Sequence, residues 1–243
     1  MVHGLTRSRL SIAAAAALTV LAALGSGTAL AATGAASTST TRVTHVGNLN
    51  PFNSDGTLRP GWTVNLATAT GSPVNCSGTA GKASPAGKSA GTHWCGTTAQ
   101  NAFACWAPPT YPNMILCVNN PWTHRLRALR ESGLVHTARP TSANPLAVQL
   151  YDGSRWEYRI GGSAGGRADH LYETYYCVAH CPTTTVKGAQ VAILTAPSDK
   201  TPITMTGKLW TAKVGLVGNP ATHYPAPKTM DVQAAYFMVS TFR

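Results

Sequence analysis

Gly161-Gly162-Ser163-Ala164-Gly165, followed closely by Asp169 and His170, supplies the residue types of a serine-hydrolase nucleophile, its base and an orienting acid in the G-x-S-x-G pattern. That chemistry needs a strand-to-helix elbow above a parallel α/β sheet. Here the serine lies in a glycine-rich run between two apparent antiparallel strands, so a hairpin loop is the first reading and a serine-type hydrolase the alternative. Glycosidic cleavage would need two opposed carboxyls, and Asp152, Glu157, Asp169 and Glu173 form the nearest sequence cluster. Glu157 and Arg159, however, are expected on the solvent face of their strand. The histidines from His45 to His223 are scattered without H-E-x-x-H or paired ligand spacing, so neither a metal nor another cofactor is expected.

Two binding constellations stand beside these. His124, Arg125, Arg127 and Arg130, with Arg139 and Arg155 as further candidates, could form a cationic strip for phosphate-bearing polymers, held by contacts that weaken with salt. Trp106 beside Pro108, Pro109 and Tyr111, and the cluster Tyr172, Tyr175 and Tyr176, could offer exposed platforms for stacking on sugar rings or bases. Each also has a plain structural reading, the arginines as a solvated face and the aromatics as core.

The elements that must position these residues read as β throughout. Beyond Trp94, short apolar runs alternate with Pro, Gly and Asn turns. Met114 to Val118 reads as a buried strand. Leu146, Val148 and Leu150 alternate with polar or small residues up to Asp152-Gly153, and Trp156, Tyr158 and Ile160 alternate after it, which predicts a hairpin. Val191 and Ile193 mark another strand, and Trp210, Ala212, Val214 and Leu216 a half-buried one. Met230 to Phe242 is apolar on both sides and suits a central position. His124 to Ser132 fits a short helix or a strand equally well. The expected fold is all-β, an antiparallel sandwich or barrel-like domain with long loops.

Arg7 and Arg9, the apolar run Leu10 to Leu24 and Ala29-Leu30-Ala31 read as a secretory signal over residues 1–31. Residues 32–47, rich in Ala, Ser and Thr, read as a flexible arm, and 48–243 as a single secreted β-rich domain. No later run is long and apolar enough to span a membrane. The 19 Lys and Arg against 8 Asp and Glu give a formal net charge of +11, and loss of Arg7 and Arg9 leaves 17 against 8, or +9. A field of that sign favours anionic wall polymers, nucleic acid or acidic polysaccharide.

Export makes covalent pairing the expected state of the six cysteines, since a Cys nucleophile needs an unpaired thiolate. Proximity favours Cys76 with Cys95, Cys105 with Cys117, and Cys177 with Cys181. The stretch Ser77 to Gly91 then reads as a long surface loop closed at its base, the form a protease inhibitor would present.

Trp94-Cys95, Phe103-Ala104-Cys105-Trp106, Ile115-Leu116-Cys117-Val118, Pro121-Trp122, Pro145 to Gly153, Tyr176-Cys177 and Leu209-Trp210, in that order, resemble a Streptomyces-type family of secreted actinobacterial Cys/Trp-motif domains of unknown function. The resemblance spans Trp94 to Tyr236 and implies no activity. In that group a Cys follows the turn glycine and partners the later Tyr-x-Cys position. This chain has Trp156 near there, which frees Cys177 for Cys181. The expectation is a monomeric binding or structural module for cell-envelope or other extracellular anionic or glycan polymers, with a Ser163 hydrolase or a protease inhibitor as alternatives.

Overall fold

The computed structural model describes residues 41–77, 81–97, 100–160, 165–199 and 201–242. They form one unit and are all-β apart from a 3₁₀ turn at Leu66–Thr70. The signal at 1–31 and most of the arm lie outside the described residues. The arm's end does not stay free. Arg42 pairs with Asp231 at 2.9 Å, and β1 (His45–Leu49) begins inside the span expected to be flexible.

A closed six-stranded antiparallel barrel forms the C-terminal part. Its members in spatial order are β9 (Ala147–Leu150), β10 (Arg155–Tyr158), β11 (Tyr172–Ala179), β12 (Gln190–Thr195), β14 (Trp210–Val217) and β15 (Lys228–Met238), which returns to β9. β13 (Ile203–Thr204) adds to β14, and β1 runs parallel to β15. The β9–β10 hairpin turns at Asp152-Gly153 as expected, with Gly153 at φ 86° and Asp152 Oδ1 accepting from the Ser154 amide and hydroxyl. The barrel is filled, not hollow: Trp156, Tyr175, Ile193 and Phe237 pack at its centre, and the Tyr175 hydroxyl donates to the Pro145 carbonyl at 2.6 Å.

The uneven alternation of the last strand has a cause. A bulge between Val232 and Ala234 shifts the register, so Met230 and Val232 face inward before it, and Ala235 and Phe237 after it. The residues between, Tyr236 and Met238, then face outward onto a second core. That core contains Phe52, Trp106, Leu116, Leu126 and Leu146 and joins the barrel to the other sheet.

The second sheet orders β2 (Thr63–Asn65), β8 (Arg125–Ser132), β7 (Met114–Asn120), β6 (Cys105–Trp106), β5 (His93–Trp94) and β4 (Lys82–Ala83). β3 (Val74–Asn75) follows β2 along the same edge of β8. The ambiguous segment from His124 is therefore a strand. All three disulfides pair as expected, among them Cys105–Cys117 at directly opposed positions of β6 and β7. Strands this short bury little, and the sulfurs of Cys76–Cys95 and Cys105–Cys117 are a large part of the core between them. Closing loops of 19 and 12 residues, each bridge contributes about 3 kcal/mol in the chain-entropy view.

Of the stretch from Ser77 to Gly91, the described residues 81–91 are not a free loop. Ser84, Ala86 and Gly87 are buried, and the backbone clasps the end of β15, with Met238 N donating to Ala86 O and Lys88 N to Met238 O. Small residues permit that approach: a Cβ on Gly87 would collide with Thr92 Oγ1. An inhibitor loop would need this segment exposed.

Burial sets two titrations against each other. It pushes the Glu157 carboxyl from 4.5 up to about 7, and it pushes His93 from 6.5 down to about 4 with help from His136. Below about 7 folded Glu157 keeps a proton that the unfolded chain gives up, so this contribution to stability fades as pH rises. His93 refuses a proton that the unfolded chain accepts, so its contribution grows with pH. Each is worth at most about 3 kcal/mol. Between about pH 4.5 and 6.5 they offset. Denaturant midpoints should therefore rise with pH in Glu157→Gln, fall with pH in His93→Gln, and vary least in the unaltered protein; equal slopes in all three would contradict the assignment.

Candidate functional site

The arginine strip is dispersed by strand alternation. On β8, Arg125 and Arg127 share one face while Arg130 points from the other. Arg127 is committed, donating through Nη2 to Gln100 O at 2.7 Å and Asn101 O at 2.8 Å. Arg125 is exposed and lines a shallow cleft of about 430 Å³ beside β2, near a stacked Trp62–His124 pair. Arg155 packs over Trp122, separate from these.

The aromatic candidates do not converge either. Trp106 is fully buried, its Nε1 donating to Val239 O, and Tyr175 is fully buried in the barrel. Neither can serve as an exposed platform; both belong to the core, where their large apolar area is worth most. Tyr111 is half-buried against the inter-sheet core, and Tyr172 is exposed at 40%.

Ser163 lies outside the described residues. Its supposed orienting acid is engaged elsewhere: Asp169 accepts a two-pronged contact from Arg167, with Nε 2.9 Å from Oδ1 and Nη2 2.8 Å from Oδ2. That contact holds the Asp169 carboxyl below the usual range. Arg167 also donates to the carbonyls of Leu216, Tyr224 and Pro225, which makes it a clamp on the loops that cover the barrel. Among the described residues no group of three or more His, Cys, Asp or Glu could hold a metal ion.

A site that local sequence patterns do not suggest lies where the segment 139–143 crosses the barrel core. Lys88, Arg139, Thr141, Ser142, Met205 and Trp210 line an open cleft of about 370 Å³, with Phe237 in its floor. The Lys88 ammonium sits 3.4 Å from the Phe237 ring centroid, and Trp210 meets the same ring edge-on at 6.3 Å. Each position follows from the fold. Lys88 ends the segment clasped to β15, Trp210 opens β14, and Arg139 lies between the two sheets in sequence.

The electrostatics of this cleft are one-sided. Burial and the neighbouring Arg139 charge both lower the Lys88 ammonium from its ordinary value. Among the described residues no acidic side chain lines the cleft and none of the ion pairs involves Lys88 or Arg139. Two cations thus repel each other beside an aromatic floor, with the Thr141 and Ser142 hydroxyls alongside. An anion entering there would relieve the repulsion, and the ring faces and hydroxyls suit a sugar.

No family model, curated protein or solved structure matches this chain.

A lowered ammonium is a more reactive amine. Under limiting acylation at about pH 8, Lys88 should be modified ahead of Lys187 and Lys208, as read by peptide mass mapping. Arg139→Gln should slow Lys88 alone; uniform modification of all lysines in both proteins would refute the electrostatic assignment.

Proposed function

We propose that the protein is a secreted, monomeric binding module that attaches to an anionic glycan or wall polymer through the Lys88–Arg139 cleft. The observation that carries this reading is the unpaired juxtaposition of Lys88 and Arg139 over Phe237 and beside Trp210. Left empty, such an arrangement costs free energy; it is the complement of a carboxylate, sulfate or phosphate borne on a ring. Three disulfides and a basic composition agree with work outside the cell on a polyanion. No membrane-crossing helix occurs among the described residues, so attachment would rest on the polymer contact.

Retention on immobilised polygalacturonate, with neutral dextran as the control matrix, tests the proposal. The protein should be held at low salt and released as the salt rises, since screening weakens exposed charge contacts. The double variant Lys88→Gln/Arg139→Gln should bind at least about tenfold more weakly while unfolding normally. Equal retention on dextran, or an undiminished double variant, would rule the cleft out as the attachment site.

A further inference from the structure

The outer face of the barrel carries a second site, built around a buried carboxylate. Glu157 on β10 stands directly across from Tyr176 on β11, and the Tyr176 hydroxyl hydrogen-bonds to its carboxyl. Glu173, three residues before Tyr176, would share the inward face with Tyr175 in a regular strand. A bulge between Glu173 and Tyr175 turns it outward, so that it pairs with Leu194 and lies on the face of Glu157. The face expected to be solvated is therefore covered: Glu157 is only 5% exposed, and the Glu173 side chain is fully buried.

The two oxygens of Glu173 fare differently. Oε2 accepts from Gln190 Nε2 at 2.8 Å and from Arg159 Nη1 at 3.3 Å. Oε1 is buried and has no hydrogen-bond partner among the described residues. Glu173, Arg159, Tyr176 and Gln190 line a cleft of about 380 Å³ whose opposite wall is apolar, built from the Cys177–Cys181 disulfide, Pro182 and Val191. An orphaned carboxylate oxygen in a buried setting is costly, and it calls for a donor that also carries charge.

We infer that this cleft binds an alkylammonium group, a primary amine on a short aliphatic chain such as a lysine side chain, with Glu173 Oε1 as its acceptor and the apolar wall against its methylenes. A neutral hydroxyl would satisfy the oxygen but not the charge. Among the described residues the Arg159 guanidinium meets the Glu173 carboxylate through Oε2, and burial keeps the neighbouring Glu157 carboxyl protonated up to about 7. Tyr176 from β11 hydrogen-bonds to Glu157, with Glu173 on the same strand and Arg159, just past the end of β10, acting on the Tyr176 hydroxyl, while β9 presents the uncharged Ala147. Glu157 lies behind Tyr176, which lines the cleft; burial holds its carboxyl at about 7, so an ammonium bound in the cleft favours its ionised form and binding tightens as pH rises through that value.

The probe is Nα-acetyl-lysine amide, titrated into the full-length exported protein and followed by NMR line broadening of the ligand. The matched neutral Nα-acetyl-norleucine amide and glycerol serve as comparisons. Lysine amide should bind, more tightly at about pH 8 than at about pH 5, and the neutral probes should not. Glu173→Gln should weaken it by about tenfold or more. Thr184→Trp, which fills the cleft mouth without touching a carboxyl, should do the same if Glu173→Gln fails to fold. Lys88→Gln/Arg139→Gln should leave it unchanged, which separates this site from the anionic one. Equal binding of norleucine amide or glycerol, or full binding by a folded Glu173→Gln or Thr184→Trp protein, would overturn the inference.

Discussion

The architecture depends on β15 being buried on both faces. Its edges close the barrel by pairing with β9 and β14, one face fills the interior through Val232, Ala235 and Phe237, and the other, through Tyr236 and Met238, supports the core shared with the second sheet. A strand with two apolar faces is expensive to leave unpaired. β15 is satisfied on each side: β1 extends the sheet beside it, the clasped segment around Gly87 bonds its end, and Trp106 donates to the carbonyl just beyond it. The second sheet brings little core of its own and leans on this seam and on two buried disulfides.

Both clefts are products of that arrangement. The cationic one exists because the Lys88 segment is drawn onto β15 and faces Arg139 across the edge of the barrel core. The one on the outer barrel face exists because the bulge in β11 turns Glu173 onto the face of Tyr176. They differ in lining and in the strands that make them.

Much of the fold was legible in the sequence. The Asp152-Gly153 hairpin, the strand periods around Val148 and Val214, and the local cysteine pairing all rest on contacts between residues near one another in the chain. The bulges in β11 and β15 were not, because an extra residue in a strand is fixed by its partner's register and leaves no local mark. The cationic cleft joins residues 88, 139 and 210, which no spacing rule connects. One signal was present: no Asp or Glu occurs between Asp55 and Glu131, so Lys88 lies in a long stretch without a nearby counter-charge. The aromatic candidates misled because the motif around Trp106 and the run from Tyr172 mix core and surface positions that only the faces of the strands separate.

The bulge in β11 also bears on how such a barrel changes over time. Removing the single residue Thr174 would set Glu173 next to Tyr175 in regular alternation and so leave it on the outer face, whereas a strand that kept Thr174 but paired without the bulge would carry Glu173 inward among Trp156 and Tyr175, where an unpaired carboxylate is costly. The outer placement of Glu173 thus survives the loss of the extra residue itself and depends only on how a strand that contains it pairs.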